Sequence, residues 1–322
     1  MKVKEWTYEE FPEFTEKIDG VGIIETTGDE LGVRYLHDIE YAHLNGVSLH
    51  IQLLTPYTRK QPRCPLVPGM STAFNTQIKS ESLLPCIVFI QGSAWMKQNV
   101  YMQLPMMANL AKKGYIVACV EYRDSGIAQF PAQAIDAGNA IRFLKLYANE
   151  FFIDQERMIV AGDSSGGHTA MFVGIRKNDE TDENLYPGIS SSVKGIINYY
   201  GSVSVMMEDG NPSTINHHLP DSPEGMVMGG VNLRERPDLC KQLSVECNIT
   251  QDTEIAPVLI FHGTKDRIVN TRQSITLYNK LKETGKQVEL YLIRGGDHGG
   301  PEFWTDEVIH IIHKFIQNCF NK

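Results

Sequence analysis

The chain has 322 residues, 42% of them hydrophobic, with 30 basic and 39 acidic side chains and a formal charge of −9. That length suits one large α/β domain or two small ones, and folding at this size buries about three quarters of the surface an unfolded chain exposes. An acidic chain without a basic run speaks against nucleic acid or an anionic membrane face as a partner.

The opening residues Met1–Glu10 carry no apolar signal-like stretch, and no window is long and apolar enough for a membrane span. Cys64, Cys86, Cys119, Cys240, Cys247 and Cys319 lie far apart, and Cys86 and Cys119 sit inside apolar runs as small buried hydrophobes. A reduced, cytoplasmic protein is the expectation.

Residues 1–32 are mixed and acidic and read as an irregular lead-in. Residues 33–54 alternate as two strands, with Val47, Leu49, Ile51 and Leu53 on one side and Ser48, His50 and Gln52 on the other. Pro62, Pro65, Pro68 and Gly69 mark residues 58–84 as a long loop. From Pro85 strands alternate with helices. The apolar run 86–90 reads as a strand covered on both faces, 115–120 as the next buried strand, and 158–161, 193–198, 257–261 and 288–293 as further strands. Between them Leu104, Met107 and Leu110–Ala111 repeat at helical spacing up to Gly114. Pro131 opens a helix with Ile141, Leu144 and Ala148 inward. Residues 273–285 use Leu277, Tyr278 and Leu281, and a last helix uses Val308, Ile311, Ile312, Phe315 and Cys319. This alternation predicts a mostly parallel sheet flanked by helices, in a single domain over residues 1–322. Residues 202–253 break the rhythm. They read either as a cap-like insertion over a site or as an ordinary excursion.

After Met158–Ala161 comes Gly162-Asp163-Ser164-Ser165-Gly166-Gly167, a G-x-S-x-G turn between a strand and a helix. This is the nucleophile elbow of an α/β-hydrolase. Small flanking residues let the backbone crowd around the serine. Ser164 is in frame as nucleophile, since Ser165 would need a small residue where Asp163 stands. A serine needs a base, and the base an orienting acid, which in this fold follow in the order Ser, acid, His. Asp266 lies just past the strand 257–261, and His298 lies in a glycine-rich turn after 288–293. Asp297 is the rival acid, but it adjoins His298 on one turn. His310 and His313 face away from the apolar stripe of the last helix and read as solvated, too few for a metal site. His168 points back into structure, His217 and His218 precede the acid, and His262 braces the acid loop. For the oxyanion, the loop Gln91-Gly92-Ser93-Ala94-Trp95 points to the N–H groups of Ser93 and Ala94, joined by that of Ser165.

Taken together these segments resemble the carbohydrate-esterase-like α/β-hydrolases of the BD-FAE type, which include acetylxylan and feruloyl esterases and are related to hormone-sensitive-lipase-like esterases. The likeness runs from Val47 to Phe315. It is carried by Gly92 to Trp95, Glu121-Tyr122-Arg123, Phe130-Pro131-Ala132-Gln133, Gly162 to His168, His262 to Asp266 and His298 to Trp304. The family's triad positions fall on Ser164, Asp266 and His298. Gln91 stands where the family has His, Ser93 where it has a second Gly, and Ser165 where Ala is frequent.

The resemblance implies release of acetyl or hydroxycinnamoyl groups from sugar esters, without cofactor or metal. The resulting expectation is a serine esterase that takes short acyl groups from a small-molecule ester, with Trp95, Tyr122 and Trp304 either lining the substrate or packing the core. An arylformamidase-like amide hydrolase is the alternative enzyme. A non-catalytic binding protein would have lost a triad member, and none is missing.

Overall fold

The computed structural model describes residue 4 and residues 6–61, 83–176, 183–206 and 211–321. Its strands are β1 (Gly32–Leu44), β2 (Val47–Tyr57), β3 (Leu84–Ile90), β4 (Ile116–Val120), β5 (Ile153–Asp163), β6 (Gly195–Tyr199), β7 (Val258–Gly263) and β8 (Val288–Ile293). They form one eight-stranded sheet in the order β1-β2-β4-β3-β5-β6-β7-β8. β1 and β2 make a hairpin turned by Asn45-Gly46, with φ of 50° and 77°, the residue pair suited to a tight turn that matches strand twist. β2 pairs antiparallel with β4, and every pairing from β4 to β8 is parallel. The chain passes from β3 to β4 on one side and then returns to β5 on the other. The carboxyl ends of β3 and β5 therefore flank the point where strand order reverses, the place where open α/β sheets bind ligands.

The helices are α1 (Leu104–Ala111), α2 (Ala132–Leu146), α3 (Ser165–Ile175), α4 (Pro223–Val227), α5 (Pro237–Leu243), α6 (Arg272–Glu283) and α7 (Asp306–Phe320). α1 and α7 cover one face of the sheet, packing Met107, Leu110, Ile312 and Phe315 on Phe89, Val117, Ala161 and Phe261. α2, α3 and α6 cover the other, packing Ile141, Met171 and Leu277 on Val88, Ala118, Val160 and Ile260. Alternate side chains of the same strands serve the two cores. That is why these strands read as continuous apolar runs.

The expected strands and helices are present, with shifted edges. Leu84, expected in the loop, begins β3, while residues 62–82 and Cys64 lie outside the described part. The elbow strand starts at Ile153, which pairs with Leu84; its polar residues 154–157 then bulge out before pairing with β3 resumes at Met158. α2 ends at Leu146, so Ala148 is buried beyond the helix. The inward stripe of α7 also includes Ile309 and Ile316. Of the two histidines expected to be solvated, His310 is exposed and His313 is half-buried, with its Nδ1 2.7 Å from the Tyr115 hydroxyl. Cys86 and Cys119 are buried, and burial pushes the Cys119 thiol up to about 12. Among the described residues, no helix is long and apolar enough to cross a membrane.

Candidate active site

β5 ends at Asp163 and α3 begins at Ser165, leaving Ser164 alone in the turn with φ 52° and ψ −125°. A non-glycine residue in that region is strained and persists only where its surroundings hold it. Here the Ser164 N–H donates to the Tyr199 carbonyl at 2.9 Å, and its own carbonyl accepts the His168 N–H at 3.1 Å. The glycines make the approach possible. A Cβ on Gly166 would overlap the Ile90 carbonyl oxygen, and one on Gly92 would come within 2.7 Å of the Ser164 Cβ.

Three distant segments meet at this turn. His298 Nε2 lies 2.8 Å from Ser164 Oγ, and His298 Nδ1 lies 2.8 Å from Asp266 Oδ2. The other oxygen of Asp266 accepts the N–H groups of Ile268 at 2.9 Å and Val269 at 2.8 Å. His262 Nε2 adds a contact to Oδ2 at 3.1 Å. Burial alone would raise the Asp266 carboxyl, but the hydrogen bonds from His262 and His298 outweigh it and hold it well below the usual carboxylate range. It stays ionised and fixes the imidazole tautomer that presents Nε2 as an acceptor to the serine. His262 is itself set by Ser274 Oγ at 2.7 Å and the Val269 carbonyl at 2.9 Å. The rival acid, Asp297, turns outward to Arg267 at 2.6 Å.

The oxyanion loop differs from expectation at Ser93. Its N–H donates to Ser165 Oγ at 2.9 Å, so it is not a free donor for substrate. Its own hydroxyl meets the Tyr122 hydroxyl at 2.9 Å, and Tyr122 reaches Ser165 Oγ at 3.3 Å. Three hydroxyls thus tie the loop after β3 to the elbow, and Ser165, in place of a frequent alanine, is what captures the Ser93 N–H. The N–H groups of Ala94 and Ser165 have no acceptor among the described residues. Ala94 sits at φ 58°, and Ser165 is the first residue of α3, where helix N–H groups lack internal partners.

Asp163 makes a second tie. It accepts Gly92 N–H at 2.8 Å, Gln103 Nε2 at 2.9 Å and the Tyr200 hydroxyl at 3.3 Å. Burial pushes its carboxyl up in spite of these donors.

A cavity of about 520 Å³ opens on Ser164 and His298, walled by Trp95, Met102, Met106, Trp304 and the 202–253 segment. Tyr122 does not line it: it lies buried behind the oxyanion loop, where β4 places it. From the 202–253 segment come Ser202, Ile215, His217, Pro223 and Glu224. Glu224 carries no sequence mark. Ser222 before Pro223 caps a short helix, yet nothing in that pattern says the next carboxylate is buried. Among the described residues, no cluster of three or more His, Cys, Asp or Glu side chains is arranged to hold a metal ion.

The family model for BD-FAE matches residues 74–281. Esterase LipC of Mycobacterium tuberculosis is 24% identical over 218 residues, 67% of this chain and 53% of that protein. The chain spans about half the length of the curated relatives it matches. Among solved structures, a truncated carbohydrate esterase from gut microbiota superposes with a TM-score of 0.71 at 23% identity, over 94% of this chain and all of that one (100%). A bifunctional GH43-CE protein of Bacteroides eggerthii superposes with a TM-score of 0.69 at 26% identity, over 89% of this chain and 35% of that one.

Proposed function

The chain belongs to the BD-FAE family, and from that premise we propose that it is a serine carboxylic ester hydrolase removing short, acetyl-type acyl groups from sugar or oligosaccharide esters. The observation that carries this reading is the unbroken relay from Asp266 Oδ2 through His298 to Ser164 Oγ, with both links at 2.8 Å. Ser164 Oγ attacks the ester carbonyl as His298 Nε2 takes its proton. Asp266 orients the imidazole and stabilises its cation. The carbonyl oxygen, now negative, receives the N–H groups of Ala94 and Ser165. His298 returns the proton to the leaving alcohol, and water then hydrolyses the acyl-enzyme by the same route.

The short-acyl part rests on Trp95 and Trp304, large rings that line the same cavity as Ser164. The sugar part rests on the carbohydrate-esterase likeness and on the polar side chains Ser202, His217 and Glu224 that the 202–253 segment, read as a cap over the site, brings to the cavity. Two measurements test the proposal. Ser164→Ala should lose labelling by a fluorophosphonate probe and several orders of magnitude in turnover. Wild-type enzyme should release acetate from acetylated oligosaccharides and favour acetyl over long-chain nitrophenyl esters. Near-full activity in Ser164→Ala, or a preference for long acyl chains, would reject it.

A further inference from the structure

One wall of the cavity carries a carboxylate that the relay does not use. Glu224 is 1% exposed and lines the same cavity as Ser164. Its Oε1 is occupied twice, by the Ser202 hydroxyl at 2.7 Å and by His217 Nδ1 at 2.9 Å. Its Oε2 is buried and has no hydrogen-bond partner among the described residues. A buried carboxylate oxygen without a donor is costly, and native structures retain one where something else supplies the donor.

The surroundings specify the kind of donor. His217 Nε2 lies 2.9 Å from the Ile268 carbonyl, which can only accept, so that nitrogen carries a proton. One more proton lies between Nδ1 and Glu224 Oε1. Burial disfavours charge on His217, but Glu224 outweighs this and holds the imidazole above its ordinary value. Wherever that proton sits between Nδ1 and Oε1, the pair is neutral as a unit. A neutral unit does not call for a cation. It leaves lone pairs on Oε2 for an uncharged O–H.

We propose that Glu224 Oε2 is the acceptor for a free hydroxyl on the alcohol part of the substrate, so that it selects polyhydroxylated leaving groups over plain alcohols. This rests on the sugar-ester reading: an acetyl group has no donor, so the hydroxyl must come from the alcohol side. His217 and Ser202 are positioning residues that hold Oε1 and leave Oε2 without a donor on a residue that lines the cavity.

The test compares kcat/KM of wild type and Glu224→Leu on a mono-acetylated pentoside and on cyclohexyl acetate, which has the same acyl group and no donor. Leucine is used because a glutamine could turn its NH2 to the Nδ1 lone pair of a neutral His217 and return an acceptor oxygen to the Oε2 place, whereas leucine offers none. Glu224→Leu should lose about 10–100-fold on the pentoside, chiefly through KM, and change little on cyclohexyl acetate. Equal losses on both esters, or none on the pentoside, would overturn the assignment while leaving the sugar-ester reading intact. A wild type that does not favour the pentoside would sink that reading, and Glu224 as its hydroxyl acceptor with it. A second series uses wild type alone and so does not depend on the variant folding: each free hydroxyl of the pentoside is replaced in turn by fluorine, which cannot donate. One position should cost about tenfold or more; a flat series would overturn the proposal.

Discussion

Replacing Asp266 by Asn should abolish most turnover without dismantling the site, and the geometry dictates why. The Oδ1 side of Asp266 accepts two backbone N–H groups, from Ile268 at 2.9 Å and Val269 at 2.8 Å. An asparagine must keep its carbonyl oxygen there, because its NH2 would otherwise face two donors. The NH2 is then forced onto the Oδ2 position, 2.8 Å from His298 Nδ1. An amide donor makes Nδ1 the acceptor and moves the ring proton to Nε2, which then points a hydrogen at Ser164 Oγ in place of a lone pair. Loss of the basic tautomer costs about 10³–10⁴ in kcat in a comparable triad. The same NH2 also meets His262 Nε2, formerly 3.1 Å from the carboxylate, so stability should fall by about 1–3 kcal/mol. Steady-state hydrolysis of nitrophenyl acetate reads the first effect and denaturant unfolding the second. Asp297→Asn is the control. Its side chain bonds outward to exposed Arg267, and its kcat should stay near that of wild type. Retention of more than a tenth of kcat in Asp266→Asn, or an equal loss in Asp297→Asn, would refute the assignment of the acid.

Tyr122→Phe removes the hydroxyl that meets Ser93 Oγ at 2.9 Å and Ser165 Oγ at 3.3 Å. It should lower kcat about tenfold with KM nearly unchanged, since it loosens the donors of the oxyanion site and not a substrate wall; a loss confined to KM would return Tyr122 to the pocket. Gly166→Ala should yield little soluble protein, because its Cβ has no space beside the Ile90 carbonyl oxygen, and a variant melting within a few degrees of wild type would contradict that packing. Burial lowers His168 from 6.5 to about 4, so the unfolded chain binds a proton at a pH where the folded one does not. Stability should therefore decline as pH falls from 6.5 toward 4, by up to roughly 3 kcal/mol. His168→Gln, which keeps a donor for the Leu243 carbonyl, should flatten that decline, and urea unfolding at several pH values in this window would expose a wild-type profile that does not slope.

The residues of the relay were legible in the sequence because their placement follows from topology. A parallel sheet puts every strand end of one sense on one edge, so an elbow after β5, an acid after β7 and a histidine after β8 reach that edge whatever the side chains between them. The rival Asp297 was excluded on the same ground, since two neighbours on one turn do not face each other, and its outward bond to Arg267 agrees. The Ser93 assignment failed for a different reason. Which N–H of a tight loop stays free depends on what else competes for it, and the competitor was the hydroxyl of Ser165, held by Tyr122 arriving from β4. Motif reading treats each loop alone, whereas this contact joins three of them.

Glu224 lay further from reach. The described part of the 202–253 segment folds as short helices and turns with little periodicity, and its buried carboxylate is recognised through Ser202 and His217, which cross the segment to occupy one of its oxygens. A single buried acid with one satisfied and one open oxygen is a property of three side chains at once. Positions that bind a variable substrate are of this kind. The relay must be built the same way for any ester, so the backbone topology encodes it. The alcohol-side contact is free to differ between enzymes on one fold, so it falls on the least regular part of the chain, where pattern carries least information.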